Sequence, residues 1–326
     1  MTLRYVSPTG NDIGPGTTGN PWKTLQYAVD NIQPGDTLVV RAGTYSERVI
    51  VPAKAGGSAA ARTIIACDSG VILDGAYQYP TGPINAGTAI TIRGNTSLGW
   101  VAGYLFTIKA DHFDMQGNGM EIKRSRGSGL LINGLESDRR VDVLVKDLII
   151  HGMRYQPLRG DECDEILVDG VEAYDSANFA PFSRSGTELN WCVAINLKDG
   201  ADQTITNCVV HEHWGEGLAI AGGDGGIISY NTVYNTFSSL LNANRSTGLD
   251  IYGNFCYHTA TSHLRNGFPT NGLRFDNEGA KKQGHRPGTN NCRAWNNIIV
   301  GCGNNLALQD QDDGGGKEGY TDVDIF

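Results

Sequence analysis

Apolar residues occur mainly as short runs rich in Val, Ile and Leu, separated by Gly, Asn and Asp. Examples are TLVV (37–40), TIIA (63–66), LVKDLII (144–150) and TITNCVV (204–210). Runs of this length and composition, bounded by turn residues, are typical of β-strands. The pattern therefore predicts a chain that folds into many short strands.

These strands recur at a nearly constant interval when the chain is aligned on an Asn or Asp that precedes an apolar pair. The aligned segments are DLIIHG, DGVEAY, NCVVHE, NTVYNT, NFCYHT and NIIVGC, which begin at positions 147, 169, 207, 231, 254 and 297. Three of the five steps are 22–24 residues long, and the steps of 38 and 43 residues fit one repeat plus an insertion. Each repeat also has a strand before the Asn, and most have a third strand after it, so the repeating unit contains three strands.

A unit of three short strands predicts a parallel β-helix, in which each coil stacks on the next. An Asn repeated at one turn supports this fold, because Asn tolerates left-handed backbone and stacked amides can hydrogen-bond from coil to coil. A β-propeller blade would need about 40–50 residues with antiparallel hairpins, and a β-sandwich would not show this period. We therefore expect an all-β chain with a single domain over residues 1–326.

The N-terminal stretch agrees with this fold. Residues 5–51, YVSPTGNDIGPGTTGNPWKTLQYAVDNIQPGDTLVVRAGTYSERVIV, resemble the opening of pectate-lyase-like right-handed parallel β-helix proteins. That superfamily includes polysaccharide lyases, glycoside hydrolases, uronan epimerases, phage tailspikes and surface proteins without catalysis. The resemblance implies a single-stranded right-handed parallel β-helix and leaves the activity open.

A short amphipathic helix is predicted inside this stretch. Asn20 is placed as its N-cap and Pro21 as its first helical residue. An apolar stripe at helical spacing follows, formed by Trp22, Leu25, Ala28, Val29 and Ile32. In a β-helix such a helix would cover the strand edges of the first coil, so residues 1–50 are expected to form a cap with that coil. Residues 311–326 form a polar, glycine-rich tail without an obvious lid.

Composition and charge limit the kinds of molecule that the protein is expected to bind. The net charge is −9, which disfavours nucleic acid as a partner, and no run approaches the roughly 20 apolar residues of a membrane span. The N-terminal residues contain no apolar signal-peptide core, so we expect an extracellular protein whose signal is missing from this chain, or one on a virion surface released by lysis. The seven cysteines form no CxxC pair and are expected to be buried free thiols.

The third strand of each repeat offers an outer face on which function could lie. Side chains alternate between the interior and the exterior of a coil. The residues expected on the outside are Ala194, Asn196, Ala219, Ala221, Leu241, Arg274, Asp276, Ala307 and Gln309. Small and polar side chains of this kind indicate an open, shallow face along which a polysaccharide could lie.

The stretch NCVVHEHWGEGLAIAGG (207–223) holds two histidines and a glutamate beside this face. Counting from the repeat Asn places His211 in one column with His151 and His258, which favours a structural role. His213 has no matching histidine in its column. Glu216 is the single acid in a row that we align with Asn190, Ser239, Asn271 and Asn304.

Coils stack about 4.8 Å apart, so residues of neighbouring coils should meet at this face. The candidate catalytic residues are Glu216, Asp276, His213 and Arg274, and the candidate substrate-binding residues are Arg245, His263, Arg265 and Asn196. A β-elimination would use Arg or His as the base, with cations neutralising a uronate. A hydrolysis would use the carboxylates of Glu216 and Asp276. A polar surface without catalysis remains the third interpretation.

No cofactor is assigned, although two acidic segments, DECDE (161–165) and DQDD (310–313), have the oxygen ligands that Ca²⁺ prefers. The chain lacks the clustered Asp motifs and the Arg–Pro motif of calcium-dependent pectate lyases, and the Asp-Pro-His string of uronan epimerases. The sequence therefore predicts a polysaccharide-active protein, lyase or hydrolase. The alternative is a structural or glycan-binding module, such as a tailspike component or adhesin, with a possible homo-oligomer that would be a trimer if phage-derived.

Overall fold

The computed structural model describes residues 1–76, 103–177, 192–259, 270–277, 288–309 and 321–325. Within these ranges the regular structure is mostly β-strand, and the strands pair in parallel along three ladders. Each turn of the chain contributes one strand to each ladder. The predicted parallel β-helix is therefore confirmed.

The ladders share the two longest strands. The first ladder contains β1 (Leu3–Val6), β2 (Thr37–Val40), β5 (Thr63–Cys67), β8 (Phe113–Ser125), β10 (Arg140–Met153), β12 (Cys163–Asp169), β15 (Ala201–Thr206), β18 (Asp224–Ser229), β21 (Thr247–Tyr252), β24 (Asn290–Trp295) and β27 (Thr321–Ile325). The second ladder also uses β8 and β10, together with β3 (Gly43–Tyr45), β6 (Val71–Asp74), β13 (Glu172–Ser176), β16 (Val209–His213), β19 (Thr232–Thr236), β22 (Phe255–Tyr257) and β25 (Ile298–Val300).

The third ladder is a separate sheet. Its strands are β4 (Val49–Val51), β7 (Tyr104–Ile108), β9 (Ser128–Asn133), β11 (Leu158–Asp161), β14 (Val193–Lys198), β17 (Glu216–Ala221), β20 (Leu241–Asn244), β23 (Asn271–Asp276) and β26 (Asn304–Gln309). Five of these strands, β14, β17, β20, β23 and β26, are those that the sequence predicts as the third member of a repeat.

The register confirms the repeat length and locates the insertions. Leu218 pairs with Leu241, which lies 23 positions later. The next two steps along the same column are longer: Leu241 pairs with Leu273 after 32 positions, and Leu273 pairs with Leu306 after 33. The 43-residue step of the sequence is thus divided into two additions, one on each side of β23. The other long step falls just before β14. All three insertions adjoin third-ladder strands.

The interior of the coils is one continuous apolar cluster that includes Phe106, Phe113, Met115 and Phe275, all with at most 1% exposure. The seven cysteines are free thiols, and six of them are buried. Burial raises the pKa of Cys208 to about 12, as expected for a thiol in apolar surroundings. No helix in the described ranges has the length and apolarity needed to cross a membrane.

An asparagine ladder marks the corner between the first and second ladders. Asn231 Nδ2 donates to Asn254 Oδ1 at 2.9 Å, and Asn254 Nδ2 donates to Asn297 Oδ1 at 2.8 Å. The predicted amide ladder is confirmed for these three coils and is wrong by one position in the preceding coil. There Cys208 aligns with Asn231, because Val209 pairs with Thr232, and Asn207 instead adopts a left-handed turn with φ 53°.

The predicted helix exists but begins later than expected. Helix α1 spans Leu25–Asn31 and its N-cap is Thr24, whose hydroxyl accepts from the Tyr27 N–H. The N-cap assignment to Asn20 is therefore wrong. Gln26 forms two hydrogen bonds with the backbone of Ile50 in β4, the outermost strand of the third ladder.

Candidate functional site

The outer face of the third ladder carries two adjacent columns of side chains. Strand register aligns Asn196, Ala219, Asn242 and Arg274 in the first column. The second column contains Lys198, Ala221, Asn244, Asp276 and Gln309. The expected alternation holds for most of these residues. Leu241 is an exception, because it aligns with the interior residues Leu218 and Leu273.

This face is more enclosed than the sequence indicates. The exposed fractions are 7% for Asn196, 2% for Ala219, 3% for Asn242 and 6% for Arg274. The expectation of an open, shallow face is therefore wrong. Hydrogen bonds and ion pairs are stronger where water is largely excluded. A polar group that lacks a partner in such a place destabilises the folded protein.

Arg274 joins the two candidate catalytic carboxylates. Its Nη2 lies 2.6 Å from Glu216 Oε1 and 3.0 Å from Asp276 Oδ2. The other oxygen of Glu216, Oε2, accepts a hydrogen bond of 3.0 Å from Asn242 Nδ2. Glu216 and Asp276 are 2% and 0% exposed. The structure thus brings Glu216, Arg274 and Asp276 together, as the sequence predicts, and adds Asn242, which the sequence analysis missed.

Gly217 helps to direct Glu216 towards this face. A Cβ on Gly217 would lie 2.3 Å from the Leu240 carbonyl oxygen and 2.6 Å from Val233 Cγ1. Gly217 therefore faces packed atoms and has no room for a side chain, and the Glu216 carboxylate reaches Asn242 and Arg274 instead. Its register partner in the preceding coil is Val193, so the predicted alignment with Asn190 is wrong.

Several buried polar atoms on this face have no hydrogen-bond partner within the described residues. They are Oδ1 of Asn196, Asn242 and Asn244, Nε of Arg274, and Nε and Nη1 of Arg245. Arg245 is 6% exposed, and its backbone N–H donates to the Asp276 carbonyl at 2.8 Å. Buried polar atoms are nearly always paired in folded proteins. This concentration on one face indicates a surface suited to a ligand rich in hydrogen-bonding groups.

The remaining candidates are less favourably placed. His213 is fully buried at the end of β16, where it pairs with Ser176 and Thr236 and not with the predicted Asp175 and Phe237. Its catalytic role stays a prediction. His263 and Arg265 lie outside the described residues.

The second ladder explains His211. Five rings stack in the order His151, Tyr174, His211, Tyr234 and Tyr257, with centroids 4.7–4.9 Å apart and interplanar angles of 2–6°. His211 Nε2 also lies 3.2 Å from Glu172 Oε1. The structural interpretation of His211 is confirmed, but His258 does not belong to this column.

No protein-family profile matches the chain. A 73-residue segment is 37% identical to pectate lyase PEL9 of Emericella nidulans and covers 22% of this chain and 18% of that protein. A 47-residue segment is 43% identical to the uncharacterized protein YwoF of Bacillus subtilis, covering 14% and 10%. The matched segments thus span less than a fifth of either curated relative.

Solved structures match over most of the chain. Pectate lyase Pel9A aligns with a TM-score of 0.56 at 14% identity and covers 94% of this chain and 76% of its own. An alginate lyase from Paenibacillus sp. str. FPU-7 aligns with a TM-score of 0.51 at 14% identity, covering 98% and 99%. A GH136 lacto-N-biosidase from Eubacterium ramulus aligns with a TM-score of 0.51 at 11% identity, covering 100% and 68%. The chain has the pectate lyase-like parallel β-helix fold.

In this pectate lyase-like β-helix, acidic side chains of the first acidic segment, 161–165, form ion pairs with arginines. Arg139 contacts Glu162 and Asp164, the latter at 2.7 Å, and Arg159 lies 2.7 Å from Asp161. Within the described ranges, no group of three or more His, Cys, Asp or Glu side chains has an arrangement suited to a metal ion. The second acidic segment, 310–313, lies outside them.

Proposed function

We propose that the protein binds an extended glycan along the outer face of the third ladder and hydrolyses it beside Glu216 and Asp276. The observation that carries this proposal is the coincidence of two features on one face. One is the line of buried polar atoms without partners, and the other is the carboxylate pair joined by Arg274. The rest of the outer surface described for the third ladder lacks this combination.

Sugar hydroxyls match the unpaired atoms, because each hydroxyl both donates and accepts a hydrogen bond. The amide oxygens of Asn196, Asn242 and Asn244 would accept from hydroxyls, whereas Arg245 would donate. Arg245 also brings a positive charge that no carboxylate within the described residues neutralises at ion-pair distance. A uronate carboxylate would satisfy both its charge and its hydrogen bonds.

The geometry favours hydrolysis over β-elimination. Glu216 Oε1 and Asp276 Oδ2 both contact Nη2 of Arg274, so these two oxygens lie within about 6 Å of each other. This distance is closer to the separation of the two carboxyl groups in retaining glycosidases, roughly 5–5.5 Å, than to the larger separation in inverting ones. Arg274 contacts both carboxylates and offers no hydrogen-bond acceptor, so this arginine is poorly suited to be the base of the β-elimination considered from the sequence. It is suited to orient the two carboxylates and to compensate their charge.

Two of the structural neighbours are a pectate lyase and an alginate lyase, and one is a lacto-N-biosidase, so proteins with this fold include enzymes that act on carbohydrates. A likeness at 11–14% identity speaks only for the fold. The assignment of a glycan to this chain therefore depends on the chemistry of the face.

The test is a screen of polygalacturonate, alginate and xylan for new reducing ends and for unsaturated-product absorbance, with and without Ca²⁺. Reducing ends without unsaturated products, lost in Glu216→Gln and Asp276→Asn, are the expected result. Unsaturated products would show a lyase instead. Absence of turnover on every glycan, together with trimers in solution, would favour the structural alternative, a tailspike component or adhesin.

Three finer expectations belong to this proposal. Helix α1 would act as the cap of the first coil, since Gln26 already satisfies the backbone of Ile50 on the edge strand. The coils would wind right-handed, as parallel crossovers nearly always do. A glycan-degrading protein would work outside the cell or on a virion surface.

A further inference from the structure

A second, small apolar cluster lies outside the interior of the coils. Ala177 and Cys192 are buried at 0% and 1% exposure, and Tyr155 and Trp214 pack against them while staying half-buried. Satellite clusters of this kind add little to the main core. Here the cluster lies at the turn between the second and third ladders, which leads directly to Glu216.

The turn fixes Trp214 relative to Glu216. The Trp214 N–H donates to the Ser176 carbonyl at 3.0 Å, and the Glu216 N–H donates to the Cys192 carbonyl at 2.9 Å. Between them, a Cβ on Gly215 would lie 1.9 Å from the Cys192 carbonyl oxygen. Because the turn is bonded on both sides and Gly215 has no room for a side chain, the backbone positions of Trp214 and Glu216 are fixed relative to each other.

Phe237 extends the aromatic surface into the next coil. Its ring centroid is 5.7 Å from that of Trp214, with an angle of 36° between the ring planes. The Phe237 N–H donates to the His213 carbonyl at 2.9 Å, which anchors it to the coil below. Both rings are half-buried and lie at successive turns that lead into the third ladder, Trp214 just before β17 and Phe237 just before β20.

We propose that Trp214 and Phe237 form a stacking subsite that holds one pyranose ring beside Glu216. This inference rests on the proposed function. A pyranose has a C–H face that suits the negative face of an aromatic ring, and hydroxyls at its edge that suit a polar floor. The subsite selects glycans whose pyranose presents an unbroken C–H face, and it places the neighbouring glycosidic bond over Glu216.

The test uses intrinsic fluorescence and turnover with oligosaccharides prepared from polygalacturonate, alginate and xylan. Binding of the active oligosaccharide should change the fluorescence of the wild-type protein, and Trp214→Phe should lose most of this change. Trp214→Ala should weaken binding by about tenfold, the scale expected from loss of one aromatic contact. Its KM should rise more than its kcat falls.

The matched control is Trp295→Phe. Trp295 is also half-buried and stacks on Tyr252 with centroids 4.7 Å apart, but it belongs to the first ladder. This variant should keep the fluorescence change and the affinity. A fluorescence change that survives Trp214→Phe, or unchanged affinity in a folded Trp214→Ala, would overturn the subsite while leaving the proposed function intact. Failure of the wild-type protein to bind any of the glycans would overturn both.

Discussion

His211 and Glu216 are five positions apart in one coil, yet the outer faces that they occupy differ in nearly every physical respect. On the second ladder, His211 stacks between two tyrosines of the adjacent coils and contacts Glu172. On the third ladder, Glu216 meets Arg274 and Asn242, while amide and guanidinium atoms around them lack partners within the described residues.

The difference shows how a repeat and a departure from it can be distinguished. The rings of the second ladder satisfy each other from coil to coil, so that face needs no ligand to be stable. The two outer columns of the third ladder contain Ala, Asn, Arg and Asp, so the side chains differ from one coil to the next. Its polar groups therefore do not satisfy each other through a repeated contact between coils. We therefore expect the second ladder to serve stability alone, whereas the third ladder carries the proposed chemistry and buried charges that depend on one another.

The largest expected effect is on catalysis. Glu216→Gln should lower glycan cleavage by about 10²–10⁴-fold, because the amide cannot act as a base or nucleophile. The amide still offers an oxygen to Arg274, so the melting temperature should change little. Initial rates on the active glycan provide the measurement. Glu172→Gln on the second ladder is the control, and a similar loss there would remove the distinction between the two faces.

Removal of Arg274 should affect stability most. Arg274→Met leaves Glu216 and Asp276 buried without their shared cation, and we expect a loss of about 3–5 kcal/mol in the free energy of unfolding. Urea denaturation measures this loss. Arg293→Met is the matched control, because Arg293 pairs with Asp250 at 2.8 Å but its side chain is 55% exposed. That change should cost much less, because a solvent-exposed ion pair contributes little to stability. Equal losses would show that the Arg274 network is not effectively buried.

A smaller loss is expected in the ring stack. Tyr234→Leu removes contacts with His211 and Tyr257, each worth about 0.5–1.5 kcal/mol. Denaturation should show a loss of that order while glycan cleavage is unchanged. Tyr230→Leu, at a tyrosine that is 61% exposed with an edge contact to Tyr252, should cost less. Reduced cleavage in Tyr234→Leu would connect the second ladder to catalysis.

The smallest effect concerns pH. Burial lowers the pKa of His258, which lies just beyond the ring stack. A folded-state pKa below the unfolded one means that protonation favours unfolding, so this stability is complete above about pH 6.5 and decreases as the pH falls below it. His258→Asn should flatten the pH dependence of the urea midpoint between about pH 7.5 and 5.5. An unchanged slope would contradict a buried, neutral His258.

The repeat made the fold predictable from sequence, because the 23-residue coil leaves its period in the apolar pattern. The Glu216–Arg274–Asp276 neighbourhood was predictable in part, since strand alternation places Arg274 and Asp276 on the outer face and coil stacking brings Glu216 within reach, although Glu216 has the same parity as the interior Leu218. Asn242 was missed because its neighbour Leu241 was assigned to that face. A shift of one residue exchanges the inner and outer sets of a strand.

The histidine column could not be predicted for a related reason. Tyr174, His211 and Tyr234 stand five, four and three positions after the aligned Asp169, Asn207 and Asn231. Coils differ by a residue at this corner, where Asn207 takes up a left-handed turn and Cys208 replaces it in the ladder. Counting from a shared letter assumes equal turns, and only backbone register reveals the unequal ones.

The asparagine ladder has a consequence for how such a chain can change in length. Asn231, Asn254 and Asn297 bond in sequence although 23 residues separate the first pair and 43 the second. The longer interval therefore leaves the amide ladder at this corner intact. A gene of this type can gain or lose whole coils, or acquire new loops around the third ladder, and keep its scaffold.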